Sequence, residues 1–177
     1  MHMIKNDIKY DALTEIIYHG KEGTVKIMDW DMVPTDYFLN GEKKQLFTGD
    51  EVLDKEINLV TDYVITFPWD PERITRNLFN LKGQQFKNDE NHQARYYKEL
   101  DLCLVHNGRH STTMGLYKNE GQIMASTISI ASLFDYYTTD GAHWYGRDKV
   151  KLNPVEDFRF ALLFELAKRK YTGYYLD

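Results

Sequence analysis

Cysteine is all but missing from this chain of 177 residues, Cys103 being the only one. An internal disulfide and a cysteine-built zinc cluster are thereby excluded, which fits a reducing cytoplasm. Cys103 lies in the apolar run 102–105, where a thiol reads as a small core hydrophobe, because a reactive one needs exposure and a positive setting. Long hydrophobic runs are missing too. None approaches the ~20 residues of a membrane helix, and the N-terminus has no apolar signal core, so the expectation is a cytoplasmic protein with no membrane partner.

Three enzyme signatures are absent as well: the Walker loop, the dinucleotide Gly-x-Gly-x-x-Gly and the His-Glu-x-x-His helix. No repeat, low-complexity tract or interdomain linker divides the chain, so residues 1–177 read as one domain able to bury a sizeable core. Aromatic residues make up 14% of it, with 13 tyrosines, which excludes a disordered class and supplies rings for core and stacking alike.

The net charge of -5 is unevenly spread. Residues 1–60 hold 7 Lys+Arg against 12 Asp+Glu, whereas residues 61–177 hold 15 of each. Between Arg73 and Lys118 eight basic residues face four acidic ones. An acidic front beside a basic middle suits a basic partner on one side and a polyanion on the other, although solvated helix faces give the same imbalance.

Along the chain, Ile8, Leu13, Ile16 and Ile17 predict a helix over 7–19, with His19 as a cation at its C-terminus. Residues 24–28 alternate as a strand. Asp29, Asp31 and Asp36 lack the Gly and terminal Glu of a calcium loop and read as caps or solvated acids, so no metal ligand is assigned. Asn40-Gly41 predicts a hairpin with arms 36–39 and 42–47, and Thr48 then caps a helix over 49–61. Residues 63–67 predict a strand, and Asp70-Pro71 a helix start with buried Ile74, Leu78 and Leu81. Near the end, Asn153-Pro154-Val155-Glu156 predicts the cap of a helix whose stripe is Val155, Phe158, Leu162 and Leu166 and which stops near Gly173.

The centre carries the chemistry. An apolar strand over 102–105 runs into Asn107-Gly108-Arg109-His110-Ser111-Thr112, with Ser111 and Thr112 as cap residues for a short helix over 114–118. Glu120-Gly121 closes that helix before a strand over 122–128. Arg109, His110, two hydroxyls and several N–H groups would meet at the positive end of a helix, where a phosphate fits. A second polar stretch, Asn91-His92-Gln93-Ala94-Arg95-Tyr96-Tyr97, puts His92 and Arg95 on one face if helical and on opposite faces if extended. His143 and Trp144 follow the Asp140-Gly141 turn of a hairpin, where they either stack on a base or decorate the surface.

This strand, Gly-Arg-His turn, helix, Gly, strand order resembles the core of the ParB/sulfiredoxin-like superfamily. The matching residues are Val105 to Ser111, Gly115 and Gly121 to Ala125. Asn91-His92 followed by Asn107 to Ser111 is more similar to an uncharacterised bacterial and mobile-element branch. The resemblance implies an α+β fold: a mixed-sheet core over 61–177 with flanking helices and a C-terminal helix, behind an acidic part at 1–60. It also implies a turn that holds nucleotide or nucleic-acid phosphate. The chain departs from the clamp-type members in having one arginine, Arg109, where they carry two, and from the sulfiredoxins in lacking the cysteine of the turn.

Two functions follow as expectations. In the first, the chain cleaves nucleic acid, RNA before DNA, with His110 and His92 as general acid and base. Arg109, Asn107, Ser111, Thr112 and Arg95 then bind phosphate, and Tyr96, Tyr97 or His143 a base. No cofactor is needed, and a divalent metal is left open. Mobile-element relatives imply an anti-defence role, such as attack on the guide RNA of a CRISPR effector. In the second, the acidic third docks on a nucleic-acid-binding host protein and mimics its ligand. Nucleotide binding without hydrolysis is a further variant.

Overall fold

The computed structural model describes residues 1–20, 32–39, 41–47, 51–80 and 85–173. The chain opens with helix α1 (His2–His19), then hairpin β1 (Asp36–Leu39) and β2 (Glu42–Gln45). Strands β3 (Leu53–Asn58) and β4 (Val64–Thr66) lead to α2 (Pro71–Asn80). Strands β5 (Gln93–Tyr97) and β6 (Leu102–Asn107), helix α3 (Arg109–Lys118) and strand β7 (Gln122–Ile128) form the centre. Three short strands follow, β8 (Thr138–Thr139), β9 (His143–Tyr145) and β10 (Lys151–Pro154), and α4 (Phe158–Thr172) ends the described chain. The fold is α+β.

Five strands make the central sheet in the order β3-β7-β5-β6-β4. It is mixed: β4 runs parallel to β6 and β5 to β7, while β5–β6 and β3–β7 are antiparallel. Strand β6 shows why the sheet is covered on both faces. Its Leu102 and Leu104 enter one cluster with Tyr97, Phe160 and Phe164, and its Cys103 and Val105 enter another with Leu116, Ile123 and Ala125. A continuous apolar run is what a strand buried on both faces requires. Cys103, fully buried, is a core residue, as its run suggests.

Several boundaries differ from the sequence reading, each for a local reason. Helix α1 begins at His2 because Lys5 is drawn inward, its Nζ 3.0 Å from the Asp101 carbonyl and carboxylate and 3.7 Å from the Tyr63 ring centre. The helix expected over 49–61 is replaced by strand β3. Only Ile57 and Leu59 of residues 53–60 are buried to the level of a core, so side-chain periodicity is silent there. Pairing with β7 decides the conformation. Residues 24–28, Asp29, Asp31 and Thr48 lie outside the described residues.

The hairpin arms at 36–39 and 42–45 agree with the Asn-Gly signal. The C-terminal helix starts later than expected, since residues 151–154 pair with β9 and Asp157 takes the N-cap. That shift rotates the buried stripe to Phe160, Leu163, Phe164 and Ala167, leaving Phe158 and Leu162 exposed. The Asp157 carboxylate accepts the Arg159 N–H at 2.8 Å and the guanidinium at 2.7 Å. Arg159 in turn reaches Asp7 at 2.8 Å and Asp11 at 2.6 Å, tying α4 to α1.

Asp157→Ala should lower the free energy of unfolding by roughly 1–3 kcal/mol, as a cap and a half-buried charge pair are lost together. Asp157→Asn keeps a cap acceptor and should lose less; urea titration followed by circular dichroism reads both.

Candidate functional site

Parallel strands β4 and β6 end side by side, and the chain leaving each of them builds one cleft. From β6, Asn107 leads to Gly108, whose φ of 72° is left-handed, and α3 begins at the next residue. Glycine adopts that conformation without strain, and here nothing larger fits, because a Cβ would lie 2.7 Å from His92 Cδ2 and 3.0 Å from the Asn91 carbonyl. From β4, Thr66 donates its hydroxyl to the Arg109 carbonyl at 3.1 Å, fixing the start of α3 against the sheet. The chain then passes Trp69 and enters α2 through Asp70, whose carboxylate accepts the N–H groups of Glu72 and Arg73. An open cleft of about 760 Å³ lies between α2 and the first turn of α3.

Arg73, Arg76 and Arg109 line it, together with Trp69, Asn77, Asn91, His106, Asn107, His110 and Ser111. Among the described residues no carboxylate does, although that of Asp70 lies close by, 3.7 Å from Arg73 Nε. The N-cap of α3 is Gly108, which has no side chain to satisfy the first N–H groups. Helix dipole and arginines therefore act in one direction, toward an anion. Ser111 and Thr112 sit inside the first turn and do not cap it, because the left-handed glycine starts the helix earlier than the hydroxyls suggest.

His110 is 8% exposed and still reaches the cleft wall. Its Nε2 accepts the Asp70 N–H at 3.1 Å. A ring nitrogen that accepts carries no proton, so the imidazole is neutral with its hydrogen on Nδ1. Burial lowers its pKa, Arg73 and Arg109 lower it further, and Asp70 works against them.

His92 does a different job. It is nearly fully buried behind Gly108, with Nδ1 accepting the Asp89 N–H at 3.0 Å and Nε2 at 2.8 Å from Ser111 Oγ. The Asp89 carboxylate also lies 2.9 Å from Nδ1, but it accepts the Asn91 N–H at 2.9 Å, as in a capped turn. The backbone donor thus sets the tautomer, His92 donates to Ser111, and Ser111 passes its own hydrogen to the Gly108 carbonyl at 2.9 Å. This chain of bonds latches the 89–92 turn onto α3. Both ring nitrogens are engaged, so His92 is a positioning residue in this geometry.

Of the other expected site residues, Arg109, Asn107 and Ser111 share the cleft, and the rest do not reach it. Thr112 is fully buried and bonded to the Gly108 carbonyl at 3.0 Å. Tyr97 points into the core with no exposed surface, since β5 is extended and alternates its side chains. Arg95 pairs with Glu51 at 2.8 Å and lies 4.2 Å over the Phe47 ring. Tyr96 sits under Lys55 and donates its hydroxyl to Asp101 at 3.0 Å. His143 belongs to β9, in the separate three-stranded sheet β10-β9-β8.

Trp69, Arg73, Arg76 and Asn77 were not singled out by the sequence as site residues, and Asn91 was named only within the polar stretch 91–97. Two signals were available: a tryptophan between Pro68 and Asp70-Pro71, and Arg73, Arg76 and Asn77 at i, i+3 and i+4, one face of a helix. Among the described residues, no three His, Cys, Asp or Glu side chains are grouped as a metal site.

Fold and site define an α+β protein with an arginine-lined cleft at the carboxyl ends of two parallel strands. The chain belongs to DUF6710, a family of unknown function, whose model matches residues 1–174. No curated protein and no solved structure matches it.

Gly108→Ala should cost roughly 2 kcal/mol or more, because a left-handed alanine is strained and its Cβ drives into His92; the unfolding midpoint in urea reads this. His110 supplies a pH test. Its folded pKa lies below the ordinary 6.5, so its contribution to stability is complete above that value and is lost as pH falls through the folded pKa. His110→Gln keeps an acceptor for the Asp70 N–H but does not titrate, and should flatten the loss of stability between pH 7 and 5 relative to wild type.

Proposed function

We propose that the chain grips the phosphate backbone of nucleic acid, RNA foremost, in the cleft between α2 and α3, and that His110 serves as proton donor for cleavage of the bound phosphodiester. The observation that carries this reading is the conjunction of Arg73, Arg76 and Arg109 with the first turn of α3, on a cleft that no carboxylate lines among the described residues. Three cations beside a helix N-terminus match two or three successive phosphates better than they match a neutral ligand. Burial does most to lower the His110 pKa, and Arg73 and Arg109 lower it further; a phosphate beside the ring acts against the arginines, so binding of the strand favours proton uptake. The proton goes to Nε2, which gives up the bond from the Asp70 N–H, and the ring becomes an acid. In RNA the neighbouring 2′-hydroxyl attacks phosphorus and loses its proton to water, and the P–O bond to the 5′-oxygen breaks. His110 protonates that leaving oxygen, and Arg109 faces the charge on the phosphoryl oxygens.

The acidic face has less to offer a basic host protein than its composition implies. Asp7 and Asp11 are held by Arg159, Asp36 by Lys43 and Glu51 by Arg95. Asp29, Asp31 and Asp50 lie outside the described residues. An anti-defence role on the RNA of a CRISPR effector is consistent with the proposed backbone grip, and needs no mimicry.

The test is the affinity of a labelled single-stranded RNA, measured by fluorescence anisotropy across a salt series, with the RNA then run on a denaturing gel with EDTA or Mg2+. Arg76→Ala and Arg109→Ala should each weaken binding and reduce the log–log salt slope by about 0.7, and binding should tighten as pH falls from 7.5 to 6. Fragments that disappear in His110→Gln support cleavage. Bound but intact RNA restricts the cleft to binding, and no binding to any polyanion overturns the proposal.

A further inference from the structure

We propose that Trp69 is a nucleobase platform, so that the cleft takes an unpaired nucleotide with its base on the indole and its phosphate on the arginines. This rests on the backbone-binding reading of the same cleft. Trp69 is 47% exposed, whereas Trp144 is buried against Phe164 in the core. A single exposed ring is ordinary on a protein surface, but this one forms part of the wall of a cleft otherwise lined by arginine, asparagine, histidine, serine and Gly108. A ligand that was phosphate alone would gain nothing from it.

The ring is also held in place. Arg73 lies over one face of the ring, 5.0 Å from its centre, leaving the other face for a base; His110 makes a T-shaped contact at 5.1 Å and is anchored in turn by the Asp70 N–H. Backbone freedom is limited on both sides by Pro68 and by Pro71 at the first helical position. A rigid aromatic face loses little entropy when a base stacks on it. The same contacts place platform and anion site together, since Arg73 touches the indole and shares the cleft with Arg76 and Arg109. One nucleotide carries both groups that this wall recognises.

Single-stranded nucleic acid presents base and phosphate in this way, while a duplex keeps its bases stacked inside and offers only its edge. A free nucleotide has the same chemistry, and the experiment separates the two. Base stacking on an aromatic side chain tolerates every base, so the preference is for unpaired over paired nucleotides and not for a sequence.

Binding is measured for wild type, Trp69→Phe and Trp69→Ala with a single-stranded 12-mer, its duplex, and a strand of equal length whose central residues are abasic. The abasic strand carries the same phosphates and tests the platform in the unmodified protein, whatever the variants do to folding. With wild type, removing the bases or pairing them should weaken binding roughly 5- to 150-fold. Trp69→Ala should lose a similar factor on the intact strand and little more on the abasic one, and Trp69→Phe should retain most of the affinity. A nucleoside monophosphate that displaces the strand where ribose 5-phosphate does not supports the platform and names the free nucleotide as sufficient. Equal affinity of wild type for intact and abasic strands, with Arg76→Ala still weakening both, overturns the platform and leaves the backbone reading standing. No binding of any strand overturns both.

Discussion

The left-handed turn at Gly108, clamped from behind by His92, is the constraint on which the cleft depends. It ends β6, starts α3 one residue later, and so leaves the first turn of the helix facing the arginines of α2. The latch from Asp89 through His92 and Ser111 to the Gly108 carbonyl consists of hydrogen bonds in a buried place, where each is costly to leave unmade. Two of the residues with the most chemical promise, His92 and Ser111, are thus engaged in holding the backbone. Their contribution to the site is its shape.

Electrostatics and shape then reinforce each other. Strand β4 supplies the opposite wall, because Thr66 holds the Arg109 carbonyl and the following residues deliver Trp69 and α2. Asp70 orders that wall twice, capping α2 with its carboxylate and giving its N–H to His110. The result is a histidine whose pKa is lowered by burial and by neighbouring arginines, which makes its protonation responsive to an incoming anion. In the proposed function that response is the link between binding and chemistry.

Much of the fold was legible because local signals and tertiary packing agreed. The run 102–105 is apolar without alternation, as a strand buried on both faces must be, and Asn40-Gly41 and Asp140-Gly141 mark their hairpins. Legibility failed where pairing overrode pattern. Strand β3 exposes most of its side chains and owes its conformation to β7. The start of α4 was misplaced because Pro154 resembles a first-turn proline, while the cap that forms is Asp157. At the site, the Asn107 to Ser111 turn was visible as an anion cradle, but its partner wall comes from residues 69–77, some forty positions earlier. The parallel pairing of β4 with β6 brings them together, and that pairing leaves no local mark.

The most direct test of the cleft as a backbone-binding site is amide chemical-shift mapping by NMR during titration with a short single-stranded RNA. Shifts should concentrate at residues 69–77 and 106–111, and fade as salt is raised. Shifts confined to β8–β10, α4 or the acidic face of α1, with those two segments silent, would contradict it.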